Sequence, residues 1–379
     1  MKLVCTQENL KRAIGYAERA VGRQSALPVL GNFLLETSGG RLTLSATNLE
    51  IGVVARVNAK VEREGSLTVP AKVLSQFIGN LPETEVVSLE AEGTSLAVSC
   101  GGYRAKIKGL PASEFPIMPK KKTERSIALP AGTFKSALSR LLPTVAVQET
   151  RLELTGVHFL FSAGDVALAA TDSFRLSEEI IQIPDAIGDE TLSEISAIGS
   201  MILPASTLLE VSRAIQPADA SVRMIIEDGQ VFFETGAVEV LSRLILGKFP
   251  DYRQIMPSDY SFSAQIEKEE FRRALRIASV FSTGEIAIEL MPEEEKVLIE
   301  AMGGNVGEQR AEVPAKFVSG DGRLRTVFPP KSLLDGAGFI ETSSIAFLAN
   351  TAGTPVALKS VEDGVPSVGF TYIMMPIQR

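Results

Sequence analysis

The chain has 379 residues, 45% hydrophobic and 22% charged, with a formal net charge of −8. That balance excludes a disordered polymer, and no run of about eighteen apolar residues is present to form a membrane-spanning helix. Two cysteines and one histidine exclude a disulfide framework, a multi-histidine metal centre and a histidine-based triad.

The opening MKLVCTQENLKRA turns polar too soon for a secretory signal, so a cytoplasmic protein is expected. Residues 1–5 read as a short strand. In the helix that follows, Leu10, Ala13, Ile14 and Ala17 fall at i, i+3, i+4 and i+7, one apolar face. Strands come next, with Gly39-Gly40 as a hairpin turn because glycine accepts positive φ. VPAKVLSQFIGNLP predicts a second helix with Leu74, Phe77, Ile78 and Leu81 on its face. Its leading proline suits a helix start, where the missing N–H has no partner to lose. Alternating strands follow around Glu92-Gly93 and Gly101-Gly102. Cys5 and Cys100 read as small core residues. The segment Phe115 to Pro130 concentrates proline and charge and marks a boundary, with Lys120, Lys121 and Lys122 read as a solvated linker.

The same plan then recurs twice. Phe134, Ala137, Leu138 and Leu141 repeat the first helical face, and so do Phe271, Ala274, Leu275 and Ala278. LPASTLLEVSRAI, with Leu208, Val211, Ser212 and Ile215, repeats the second, as does FPPKSLLDGAGFI with Leu333, Gly336, Ala337 and Ile340. The units close on EFPIMP, KFPDYRQIMP and FTYIMMPIQR. A period of about 125 residues gives three domains, 1–121, 122–257 and 258–379, each an α+β layer of two helices on antiparallel strands.

Charge is distributed unevenly. The six predicted helices carry Lys11, Arg12, Arg19, Lys72, Lys135, Arg140, Arg213, Lys268, Arg272, Arg273, Arg276 and Lys331 against only seven carboxylates, while the remainder is acidic. Taken alone, such cations are solvated helix faces as readily as a nucleic-acid surface. The Gly303-to-Gly307 stretch lacks the G-K-[ST] of a phosphate loop and reads as a turn. Ala170 to Leu176, ATDSFRL, has no accompanying general base, so no catalytic residue, metal site or cofactor is expected.

The threefold pattern, together with ATDSFRL at 170–176, FPDYRQIMP at 249–257 and YIMMPI at 372–377, resembles the bacterial DNA polymerase III β subunits, the replicative sliding clamps, over the whole chain. The resemblance implies the DNA clamp fold, a head-to-tail homodimer closed into a six-domain ring around duplex DNA. It implies partners too: a clamp loader, the polymerase catalytic subunit and other proteins carrying a clamp-binding peptide. Their cleft is implied at Leu154, Thr171, Ser173, Phe174, Arg175, Leu176, Pro250, Gln254, Ile255, Ile373, Met374, Met375, Pro376 and Ile377. Ser173, Phe174 and Gln254 depart from the family's usual glycine, histidine and arginine. DNA-facing residues are implied at Arg23, Gln24, Lys11, Arg12, Lys72, Lys135, Arg140, Gln148, Arg151, Arg213, Arg272, Arg273 and Arg276. The dimer contact is implied between Ala105 and Ile107 of one protomer and Val280 and Phe281 of the other. The rival reading is a monomeric hydrolase or carbohydrate-binding protein of repeated α+β units.

Overall fold

The computed structural model describes every residue except 23–26, 124–125, 149, 163, 184–198, 228, 305–306 and 379. The first repeat runs β1 (Lys2–Thr6), α1 (Gln7–Ala17), β2 (Asn32–Ser38), β3 (Arg41–Thr47), β4 (Ile51–Asn58) and β5 (Lys60–Arg63). It continues with β6 (Gly65–Pro70), α2 (Ala71–Gly79), β7 (Val86–Glu92), β8 (Ser95–Cys100) and β9 (Tyr103–Lys108). The second has β10 (Ile127–Pro130), α3 (Ala131–Leu141), β11 (Gly156–Phe161), β12 (Asp165–Thr171) and β13 (Arg175–Gln182). It is completed by β14 (Ser200–Pro204), α4 (Ala205–Ala214), β15 (Ser221–Glu227), β16 (Gln230–Thr235) and β17 (Val238–Arg243). The third has β18 (Phe262–Glu267), α5 (Lys268–Phe281), β19 (Ile286–Met291), β20 (Lys296–Met302) and β21 (Glu308–Ser319). It ends with β22 (Leu324–Phe328), α6 (Pro330–Phe339), β23 (Ser344–Ala349), β24 (Val356–Glu362) and β25 (Val365–Met374).

The faces predicted for α1, α3 and α5 are buried throughout, while on α2 and α4 Phe77 and Ser212 are only half-buried. Leu10, Ala13, Ile14 and Ala17, then Phe134, Ala137, Leu138 and Leu141, then Phe271, Ala274, Leu275 and Ala278 all lie in the core. The Thr6 hydroxyl caps α1 by accepting from the Asn9 amide, and the Glu267 carboxylate caps α5 by accepting from Glu269 and Glu270. Pro70, Pro204 and Pro329 stand just ahead of α2, α4 and α6, where an N–H would have no helical partner. Gly39 and Gly40 carry φ of 57° and 76° in the β2–β3 turn, which side chains would resist. Both cysteines are free and buried, and burial pushes the Cys5 thiol up to about 12.

The chain packs as two compact units, one mainly Met1–Ser136 with Leu203–Leu244, the other mainly Ala137–Gln182 with Ile245–Arg379. In the first, a five-stranded sheet runs β5-β1-β7-β8-β9 and an eight-stranded sheet runs β10-β15-β16-β17-β4-β3-β2-β6. The antiparallel pairing of β17 with β4, from Val238 opposite Ala55 to Ser242 opposite Ile51, joins strands of the first two repeats. In the second, one twelve-stranded sheet runs β14-β11-β12-β13-β25-β24-β23-β18-β21-β20-β19-β22. Its β13–β25 pairing, from Arg175 opposite Met374 to Glu179 opposite Phe370, joins the second and third repeats in the same way.

The linker corrects one expectation. Lys121 is not solvated: its ammonium meets Glu234 and, at 3.5 Å, Glu239, while Glu227 accepts from the Lys122 amide. Nearby, Met118 lies against Gly52, where an added Cβ would come within 2.5 Å of the Met118 Cε. The linker is therefore strapped over the β17–β4 joint, by carboxylates distant in sequence.

Candidate functional site

The ATDSFRL phrase makes a tight turn between β12 and β13. The Thr171 Oγ1 donates to the Arg175 carbonyl at 2.8 Å and accepts from the Ser173 amide at 3.1 Å. Asp172 Oδ1 accepts from the amides of Phe174 at 3.0 Å and Arg175 at 2.9 Å, a side chain imitating a backbone turn. Ser173 is thereby held at φ 79°. The first repeat builds the same turn, with Thr47 and Asn48 in the roles of Thr171 and Asp172 and Leu49 at φ 78°. Turn chemistry, not reactivity, explains the polar residues of the phrase.

Arg175 is buried and fully engaged. Its guanidinium donates to Asp172 Oδ2 at 2.9 Å, to Asp335 Oδ2 at 2.6 Å and to the Pro143 carbonyl at 2.7 Å. Burial disfavours its charge, but the carboxylates of Asp335 and Asp172 outweigh this and raise its pKa. Arg175 is thus a brace between the turn and α6 rather than a free cation. Tyr372 supports the same region: its hydroxyl donates to the Ser332 carbonyl at 3.0 Å, and its ring occupies space that any Cβ at position 336 would invade at 2.4 Å. Asp335 and Pro143 were not singled out from the sequence, where Asp335 reads as one more solvated helix acid, and Tyr372 entered there only as the first residue of YIMMPI.

The C-terminal segment leaves β25 alongside this turn. The Met375 amide donates to the Phe174 carbonyl at 2.8 Å, and the Ile377 amide donates to the Val327 carbonyl at 2.7 Å. Leu154, Leu176 and Ile373 are buried in one apolar cluster with Phe249 and Tyr252. Thr171 and Pro376 are also buried, Pro250, Met375 and Ile377 half-buried, and Gln254 exposed with its amide on Asp251 at 2.7 Å. Phe174 and Ile255 stand out with 73% and 53% of their surface open. Met374 departs from expectation: it is wholly buried in the core of the third repeat, because its side of β25 faces α5 and α6 residues while Ile373 faces the other cluster.

The family model of the DNA polymerase III beta subunit N-terminal domain matches residues 1–119, that of the central domain 128–251 and that of the C-terminal domain 253–378. The chain belongs to the DNA polymerase III beta subunit family. It is 29% identical over 385 residues to a beta sliding clamp of Synechococcus elongatus, covering 100% of this chain and 99% of that one. A Caulobacter vibrioides beta sliding clamp is 28% identical, with 100% of both chains covered. A crystal structure of a Pseudomonas aeruginosa sliding clamp superposes with a TM-score of 0.90 at 25% identity, with both chains covered completely. The protein is a sliding clamp, a non-catalytic processivity factor, and the hydrolase or carbohydrate-binding reading has no support.

Among the cations that the DNA polymerase III beta subunit family led us to expect on DNA, Arg12, Lys72, Arg273 and Arg276 are exposed. Lys11 is exposed but paired with Glu83 at 2.8 Å, Arg213 with Glu210, and half-buried Arg272 with Glu269 at 3.2 Å. Lys135 donates to the Ile215 carbonyl at 2.8 Å. Gln148 and Arg151 are exposed on a loop, Arg151 paired with Glu153 at 3.0 Å. Arg23 and Gln24 lie outside the described residues. Arg140 is a correction: it is buried, ion-paired with Glu179 and Glu341 at 2.9 Å each, with Phe370 at 4.9 Å from its guanidinium carbon. A guanidinium so enclosed has no face left for a phosphate. Ala105 and Ile107 lie on β9, at the edge of its sheet, with Ile107 buried in its own domain. Val280 and Phe281 end helix α5, Val280 exposed and Phe281 half-buried.

Proposed function

We propose that two copies close head to tail into a six-domain ring that encircles duplex DNA and tethers partner proteins through the cleft around the Thr171–Arg175 turn and the C-terminal segment. One observation carries this reading: the chain makes the same strand joint twice and leaves its two halves free once more. β17 pairs β4 and β25 pairs β13. Among the described residues β9, the counterpart of β17 and β25, has a ladder partner on one side only, and the first half of β21, the counterpart of β4 and β13, pairs only with β20. An edge left unpaired invites another chain, and a second copy supplies the matching edge in both directions. β9 offers Arg104, Lys106 and Lys108, and the first half of β21 carries Glu308 and Glu312 with Arg310 between them, so three positive charges face an edge with an excess of one negative charge.

The domains are taken as 1–121, 122–257 and 258–379. Exposed helical cations would meet phosphates without reading bases, so retention on DNA comes from topology rather than affinity. The cleft takes a short apolar peptide from the clamp loader, the polymerase catalytic subunit and other motif-bearing proteins. Buried Leu154, Leu176 and Ile373 would form its floor, and Phe174, Pro250, Ile255 and Met375 its walls. Among the described residues no helix is long and apolar enough to cross a membrane. We place the protein in the cytoplasm, where replication of a bacterial chromosome proceeds. Solution mass combined with retention on DNA tests the ring: a species of twice 40.6 kDa that stays on closed circular duplex and leaves linear duplex is expected. A monomer, or equal retention on both, would overturn it.

A further inference from the structure

The two internal joints are copies, offset by 124 positions from β4 to β13 and by 132 from β17 to β25, and they differ at one end of the ladder. Ala55 opposite Val238 in the first corresponds to Glu179 opposite Phe370 in the second. Tyr16 stands where Arg140 pairs with Glu341 in the second joint. The second joint is filled by its own ions: Arg140 between two carboxylates beside an aromatic ring. At the first, the small Ala55 and the neutral Tyr16 border a cavity of about 250 Å3, lined also by Arg12, Arg41 and Arg56 with Asn9 and Asn58.

These cations have little local compensation. Arg41 is directly opposite Asn58 across the β3–β4 ladder, and Arg56 lies two residues earlier on β4. The Arg12 guanidinium is held from α1 by Asn9 Oδ1 at 2.8 Å. One carboxylate, Glu239, reaches Arg56 at 3.3 Å, and it is shared with Lys121. The Arg41 side chain has no hydrogen bond or ion pair among the described residues. In the second joint Ser136, Asp165 and Ile180 occupy the places of Arg12, Arg41 and Arg56, so the concentration of cations belongs to the first joint alone.

We propose that this cavity binds a diphosphate group, free or carried by a nucleotide. Of the three arginines that line the cavity, Arg41 has no carboxylate partner among the described residues, Arg12 has only a neutral amide and Arg56 shares Glu239 with Lys121, so the lining carries an excess of positive charge that an anion with several oxygens would compensate. Planar N–H forks match phosphate oxygens two at a time, which a lysine cluster would not do. The volume is roughly eight times the ~30 Å3 share of one water, enough for two linked phosphates and too small to enclose a nucleoside as well. A nucleotide would therefore leave its base and sugar outside. The site lies within one chain, and because Arg12 is also among the cations expected to face DNA, it is titrated in the DNA-free protein.

Calorimetry on the full-length protein in low salt, with inorganic pyrophosphate, ATP and sulfate as separate titrants, tests this. Saturable binding of pyrophosphate at one per chain is expected, with sulfate at least tenfold weaker. Comparable affinity for ATP identifies the nucleotide-borne group as a ligand, and binding of pyrophosphate alone identifies the free one. Arg41→Gln, a change at an exposed side chain, should weaken binding tenfold or more. Ala55→Glu, which supplies the carboxylate of the second joint, should abolish it. Sulfate binding as tightly as pyrophosphate, or unchanged affinity in Arg41→Gln with the native solution mass, would overturn the proposal.

Discussion

The amide of Met375 donates to the carbonyl of Phe174 at 2.8 Å, tying the last residues of the chain to a turn two hundred positions earlier. If this pair forms one wall of the partner cleft, removing residues 375–379 takes away the wall while β9, β21 and α5 stay intact. A bound peptide that buries two apolar side chains gains about 1.5–3 kcal/mol from each. Ordering costs offset part of that gain, so affinity should be near micromolar, about 8 kcal/mol. Calorimetry with a polymerase-derived peptide should show binding lost in the truncated protein and dimer mass unchanged. Unchanged affinity in an intact dimer would place the cleft elsewhere.

Ser173 at φ 79° and Leu49 at φ 78° hold the same strained place in duplicate turns. A left-handed residue with a Cβ costs roughly 1–2 kcal/mol, and glycine gives back about 0.5–1 of that through the entropy of the unfolded chain. Ser173→Gly and Leu49→Gly should each stabilise the protein by about 1 kcal/mol in denaturant titrations. If either substitution destabilises, the turn is not strained and its side chain is making contacts that matter more.

Much of this architecture is legible because helical burial has a period. Leu10, Phe134 and Phe271 announce the same face three times, and a core needs only apolar residues at that spacing. Partners supplied by distant strands leave no such trace. Arg140 and Arg276 both read as helix-surface cations, yet Glu179 and Glu341 bury only the first. Lys121 likewise meets Glu234 and Glu239 from more than a hundred residues away. Met374 was misplaced because β25 is covered on both faces, which removes the polar alternation that would have separated it from Ile373.

Burial raises the Glu179 carboxyl to about 7, against the pull of Arg140 in the other direction. The folded state therefore holds the proton more tightly than the unfolded chain. The associated stability is fully present below the unfolded pKa of about 4.5 and is lost as pH rises through about 7. Relative to the native protein, Glu179→Gln should gain stability between pH 5 and 8, by at most a few kcal/mol. Arg140→Met should cost roughly 3–5 kcal/mol at pH 8, since it strands a buried carboxylate. Parallel stability curves for Glu179→Gln and the native protein across this range would show that Glu179 stays ionised throughout.

Contact with DNA should divide the arginines the same way. Replacing exposed Arg273 or Arg276 by glutamine removes one phosphate contact and should lower the slope of log affinity against log salt by about 1, equally for all sequences. Arg140→Gln should leave that slope unchanged, because the guanidinium is already enclosed by two carboxylates. Binding to short duplexes at several salt concentrations separates the cases. An Arg140→Gln slope that drops with the others would mean that the cluster opens on DNA.

Ring closure is tested most directly at the end of α5. Val280 has 73% of its surface exposed, whereas Phe281 is half-buried against the third core, so the two substitutions report different things. Val280→Asp leaves the packing of its own domain untouched, and places a charge where an apolar contact with the partner is expected. Desolvating an unpaired carboxylate there costs several kcal/mol, enough to shift a dimer toward monomer by orders of magnitude. Phe281→Asp should do the same at some further cost to the fold. Sedimentation at micromolar concentration should find monomers for both, with the native helix content retained by Val280→Asp. A Val280→Asp protein that remains dimeric would move the interface away from α5.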